Sequence, residues 1–148
     1  MTHCATIVLL GVVGVLGCGP SMQPRPRSTP SVRTVTITTV PLLSKELQTV
    51  YPFLRQDFAP GGVLAGKEVY AFVPSTITVM AGDTLRLTLL NPEDDSHAFV
   101  LHDFFIPLPP LSRIDTTYVA REPGIFPFSC SVPQHLPMMR GELVVLSP

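Results

Sequence analysis

Between residues 130 and 139 the chain reads CSVPQHLPMM, which gathers Cys130, His135, Met138 and Met139 within ten residues. A thiolate, an imidazole and a thioether are soft to borderline donors, a set that suits copper in both of its common oxidation states. The spacing is Cys-x4-His-x3-Met if Met139 is the third donor, and it leaves Met138 open as the alternative.

Such a site needs a second imidazole from elsewhere. Of the four histidines, His3 stands before an N-terminal apolar run that reads as a cleaved leader, so only His97 and His102 remain besides His135. They stand five positions apart in HAFVLHDFFIP, which reads as one strand. Alternation along a strand sends positions of opposite parity to opposite faces. His97 shares its face with Phe99 and Leu101, an apolar and inward set, and follows the turn NPEDDS. His97 is therefore the expected second imidazole, while His102, beside Asp103, is expected as a polar residue near the opposite end.

The cysteine count sharpens this expectation. The run ATIVLLGVVGVLGCGP has the length of a signal peptide and ends in small residues before Cys18. It is short and Gly-rich for a membrane span. Its VLGC resembles a bacterial lipobox, which implies a signal peptide over residues 1–17 and lipid attachment at Cys18. An uncleaved anchor is the alternative, and either places the body of the chain on the periplasmic or extracellular face. Cys4 would leave with the leader and Cys18 would carry lipid. Cys130 is then a lone thiol in an oxidising compartment, where metal ligation accounts for its presence.

Composition points to the scaffold that must position these groups. A net charge of -1 over 148 residues provides no basic field for a nucleic-acid backbone. With 45% apolar and 14% charged residues, 17 prolines and 10 glycines, the apolar residues must sit in short, punctuated elements, which favours an all-β fold. GPSMQPRPRSTPSVR, rich in Pro, Ser and Arg, reads as a tether over residues 18–33, with one domain over 34–148.

Within that domain VTITTV is strand-like. PLLSKELQTVYPFLRQDF spaces Leu43, Leu47, Val50 and Leu54 as one helical face would, with Pro52 expected to break or kink it, so residues 41–58 read as a short helical insertion. From residue 67 onward KEVYAFVP, STITVMAGDTLRLTLLN, HAFVLHDFFIP, RIDTTYVA, GIFPFSC and GELVVL are short strands separated by turn residues, the signature of a sandwich or barrel.

FVPSTITVMAGDTLRLTLLNPEDDSHAFVL followed by GIFPFSCSVPQHLPMMRGELVV resembles the cupredoxins, the blue copper proteins related to azurin and plastocyanin, over residues 70–146. The resemblance implies a Greek-key β-sandwich with one type 1 copper ion at one end. Carried onto this chain it implies His97 and His135 as imidazole ligands and Cys130 as the thiolate. Met139 becomes the weak axial ligand in preference to Met138, because it directly precedes Arg140-Gly141. Gln134 departs from the family, in which a glycine often stands before the second histidine.

The implied task is single-electron transfer between redox protein partners by a monomer, without catalysis. Multicopper enzymes need further histidines, and a binuclear centre needs a second loop cysteine where this chain has Ser131, Val132, Pro133 and Gln134. A copper-binding or delivery protein without an electron-transfer role is the alternative. Pro133 and Pro137 would limit loop conformations. Leu136, Pro137 and Met138 would form an apolar rim for a partner. Glu93, Asp94 and Asp95 read first as a solvated turn, and otherwise as a patch that steers a positive partner.

Overall fold

A computed structural model of the chain describes residues 29–135 and 138–148. The expected signal peptide, Cys18, most of the tether, and Leu136 and Pro137 of the rim lie outside the described residues. No helix among those described is long and apolar enough to cross a membrane.

Among the described residues nine strands form: β1 Val32–Leu43, β2 Val69–Val73, β3 Thr76–Met80, β4 Thr84–Asn91, β5 His97–Leu101, β6 Phe104–Leu108, β7 Ser112–Val119, β8 Gly124–Ser129 and β9 Arg140–Leu146. They form a four-stranded sheet in the order β2-β1-β4-β7 and a five-stranded sheet in the order β3-β9-β8-β5-β6. The pairs β1–β4 and β3–β9 are parallel. This is the expected all-β sandwich, and its strands follow the alternation of their apolar residues. Ile77 and Val79 of β3, and Leu85, Leu87 and Leu89 of β4, are all buried. Phe72 of one sheet meets Phe99 and Phe128 of the other with ring centroids 5.7 Å away in each case, tying the sheets together. Each such side chain stabilises the fold by about 1.5–3 kcal/mol through burial.

β1 extends beyond the expected VTITTV in both directions. Its first half, from Val32 to Thr38, pairs with β4, and its second half, from Thr38 to Leu43, pairs with β2. The register shifts between Pro41 and Leu43, and a bulge is a position where the missing N–H of Pro41 is tolerated. At the start of the strand, the buried Asp83 accepts hydrogen bonds from the Ser31 amide and hydroxyl, Arg33 Nε and the Met80 amide. The amides of Met80 and Ser31 hold its carboxyl well below the usual range. Sheet structure thus begins at Val32, inside the stretch read as tether.

The helical insertion is present but fragmentary: α1 Leu47–Val50, a 3-10 turn Pro52–Leu54 and α2 Arg55–Phe58. Leu43 belongs to β1, Leu54 is buried and Val50 is 67% exposed, so the spaced apolar residues do not share one face. Pro52 opens the 3-10 turn and separates the helical pieces, as its missing N–H dictates.

HAFVLHDFFIP is two strands rather than one. β5 and β6 pair as a hairpin whose turn contains His102, with φ 51°. Because β1 runs parallel to β4, the end of β1, the insertion, Asn91 and the start of β5 lie at one pole of the sandwich. Ser31, Asp83 and the His102 turn lie at the other.

Candidate metal centre

The site forms at the pole where β4 ends. Asn91, the last residue of β4, is buried, and its amide organises the turn that leads to His97. Nδ2 donates to the carbonyls of Asp95, Leu108 and Pro109, and Oδ1 accepts from Thr39 Oγ1 and the Glu93 amide. These bonds fix both sides of the turn, so β5 starts with His97 facing inward.

The other donors lie on the connection from β8 to β9. The Cys130 amide donates to the Met139 carbonyl at 2.9 Å, closing the neck of the loop. Inside it, the His135 amide donates to the Val132 carbonyl and the Met139 amide to the His135 carbonyl. Gly141 lets β9 start close against the core, because a Cβ there would collide with the Phe128 ring and the Ser75 carbonyl.

His97 Nδ1 and His135 Nδ1 are 3.1 Å apart, and Cys130 Sγ is 3.8 Å from His135 Nδ1. The three residues are buried, and their ligand atoms all lie within 4.8 Å of one another. A first-row ion about 2.0 Å from each nitrogen and about 2.3 Å from sulfur, at trigonal angles, would set the nitrogens about 3.5 Å apart and nitrogen and sulfur about 3.7 Å apart. The cradle therefore fits one ion. The Val132 amide donates to Cys130 Sγ at 3.5 Å.

Both imidazoles are held in the neutral form that a ligand needs. Burial, then the neighbouring His135, lowers His97 to about 4, with Asp95 opposing the shift. Burial also lowers His135, against the opposing charges of Asp95 and Glu68. His97 Nε2 is buried without a hydrogen-bond partner, the one such side-chain nitrogen or oxygen among the described residues.

Each residue singled out in the sequence can now be placed. His97, Cys130 and His135 come together. Met139 is fully buried in the same cluster as Cys130, whereas Met138 is 59% exposed. His102 is exposed, packs edge-on against Phe126 and lies at the opposite pole. Pro133 and Gln134 are exposed on the loop.

Asp95 is more than part of a solvated turn, since its Oδ2 accepts the Tyr70 hydroxyl at 2.6 Å and lies below the usual carboxylate range, chiefly because of that bond. Glu93 is raised by burial and by the charges of Asp94, Asp95 and Glu46. Lys45, Glu68, Asp94, Asp95, Gln134 and His135 line a surface hollow beside the site. Tyr70 and Asn91 have no role in the sequence reading. The signal for Tyr70 was its parity with Phe72 in KEVYAFVP, which sends both rings inward.

No family model matches the chain, and no curated protein matches it. Solved structures do. Copper nitrite reductase from Nitrosomonas europaea superposes with a TM-score of 0.56 at 21% identity, over 78% of this chain and 42% of that one. Auracyanin A, a blue copper protein from Chloroflexus aurantiacus, superposes with a TM-score of 0.52 at 19% identity, over 78% of this chain and 99% of its own. A multi-copper oxidase from Pseudomonas thermotolerans gives 0.55 at 13% identity, over 80% of this chain and 30% of that one. The chain thus spans less than half of either enzyme. At these identities the likeness establishes the fold, which is the cupredoxin sandwich expected from the sequence.

Proposed function

We propose that this protein carries single electrons through one type 1 copper ion held by His97, Cys130 and His135, with Met139 as the weak axial donor. The observation that carries the reading is the convergence of two neutral imidazoles and a buried thiol within 4.8 Å. Copper, when bound, supplies a one-electron couple for which this mixed nitrogen and sulfur donor set suits both oxidation states. The chain's own groups do the rest. Cys130 would present its sulfur beside the Val132 amide, and the loop hydrogen bonds hold Cys130 and His135 in place. Burial excludes water from the site.

His135 is the group beside the surface hollow, so the exchange route passes through its ring. Glu68, Asp94 and Asp95 make that hollow acidic, which favours a redox protein partner with a positive docking face. Exposed Met138 adds apolar surface on the same loop.

The match to auracyanin A, a blue copper protein, over 78% of this chain and 99% of that one supports the carrier reading. The protein acts as a monomer on the periplasmic or extracellular side, attached through lipidated Cys18.

The test is the visible spectrum of the full chain after addition of Cu(II), beside that of Cys130→Ser. An intense orange-red absorption that bleaches on reduction and is absent in the variant is the expected result. A colourless protein overturns the reading, as does a weak colour lost on dialysis. The second outcome would leave a copper-binding or delivery protein without an electron-transfer role.

A further inference from the structure

Ligand histidines commonly have their second ring nitrogen tied to a carboxylate, a carbonyl or water, and that bond fixes the orientation of the ring. Among the described residues His97 has none, its Nε2 being buried without a protein partner. The hold that the described residues do supply is a ring contact. Tyr70, the second residue of β2, meets the His97 ring edge-on with centroids 4.6 Å apart and the His135 ring at 4.7 Å. It is the described aromatic ring in contact with both imidazoles, whose own centroids are 4.7 Å apart.

Tyr70 is itself fixed. Its backbone pairs with Pro41 of β1, and its hydroxyl contacts Asp95 Oδ2 at 2.6 Å and Glu68 Oε2 at 2.9 Å. Asp95 is in turn held through its carbonyl by Asn91. The ring thus has an anchor at each end: a sheet on one side and two carboxylates on the other.

We propose that Tyr70 is the positioning residue of the metal centre, a wedge whose ring aims the imidazoles of His97 and His135 and whose hydroxyl is locked by Asp95 and Glu68. The proposal rests on the reading of these histidines as ligands. It assigns to a ring contact the task that a hydrogen bond to Nε2 performs elsewhere. Tyr70→Phe keeps the wedge and removes the lock, and Tyr70→Leu removes the wedge.

The test compares the full chain with both variants by two readouts that need no electron transfer. Proton–proton contacts between the His97 and His135 rings, measured by NMR in the metal-free protein, report aim directly. Zn(II), a redox-silent probe, reports assembly of the donors. The expected result is loss of the inter-ring contacts in Tyr70→Leu, their weakening in Tyr70→Phe, and a fall in Zn(II) affinity of about 10-fold or more for the Leu variant. Unchanged ring contacts and unchanged Zn(II) affinity in both variants overturn the proposal.

If Tyr70→Leu does not fold, the Phe variant decides: weakened contacts uphold the lock and wild-type contacts overturn it. The electron-carrier reading fails separately. A wild-type chain without the intense Cu(II) absorption would sink that reading, while the ring contacts would still test Tyr70.

Discussion

His97 Nδ1 faces His135 Nδ1 at 3.1 Å across 38 residues of chain. One ring stands at the start of β5 and the other on the loop before β9, and the sandwich brings them together at a single pole. His102, only five residues from His97, ends at the other pole because β5 turns into β6 there.

The two histidines should therefore respond differently to truncation. His97→Ala should weaken Zn(II) or Cu(II) binding by more than the roughly 100-fold that loss of an outer-shell partner can cost. His102→Ala should leave affinity unchanged and stability within about 0.5 kcal/mol, as for exposed sites generally. Chelator competition and urea unfolding measure the two effects. Equal losses of affinity in the two variants would remove His97 from the ligand set.

Burial separates the two methionines. Met139→Leu conserves volume in the core and should cost less than about 1.5 kcal/mol. It should keep the thiolate absorption and raise the reduction potential, because a donor that helps stabilise Cu(II) is gone. Met138→Ala, on the exposed side, should leave the potential where it was. Voltammetry of the copper-loaded variants decides between them.

Asn91→Ala should destabilise the metal-free domain by about 1–3 kcal/mol or more, since it strands the Thr39 hydroxyl and the Leu108 carbonyl in the interior. Metal affinity should fall with it, because the turn that aims His97 loses its centre. A urea midpoint matching wild type would show that water replaces these bonds without cost.

Acid should destabilise the metal-free fold through its two buried histidines, His97 and His135. His97 drops from 6.5 to about 4 on folding, so the unfolded chain binds more protons within that window and stability rises with pH across it. The contribution is complete above about 6.5 and is lost as pH falls toward 4. His135 acts in the same direction. Urea midpoints measured on metal-free protein from pH 4 to pH 7 should climb through this range; a flat profile would contradict the burial of the imidazoles in neutral form.

That His97, Cys130 and His135 come together was legible in part because two of them are local. Cys130, His135 and the two methionines sit within ten residues, and strand alternation through Phe99 and Leu101 sent His97 inward. The same alternation made the sandwich readable, since each short strand carries its own inward face. Three features needed the folded chain. The Leu43, Leu47, Val50 and Leu54 spacing suggested a helical face, but β2 claims Leu43 by sheet pairing and Pro52 divides the rest. The acidic turn looked solvated, yet the Asp95 carboxylate accepts the hydroxyl of Tyr70, which lies 25 positions away in the chain.

Tyr70 looked like one more inward residue of a strand. Its place against two imidazoles depends on contacts 27 and 65 positions along the chain. Periodicity reports which face a side chain takes, because that is a property of neighbouring residues. Which side chains then meet is set by how two sheets pack, and only tertiary structure holds that information.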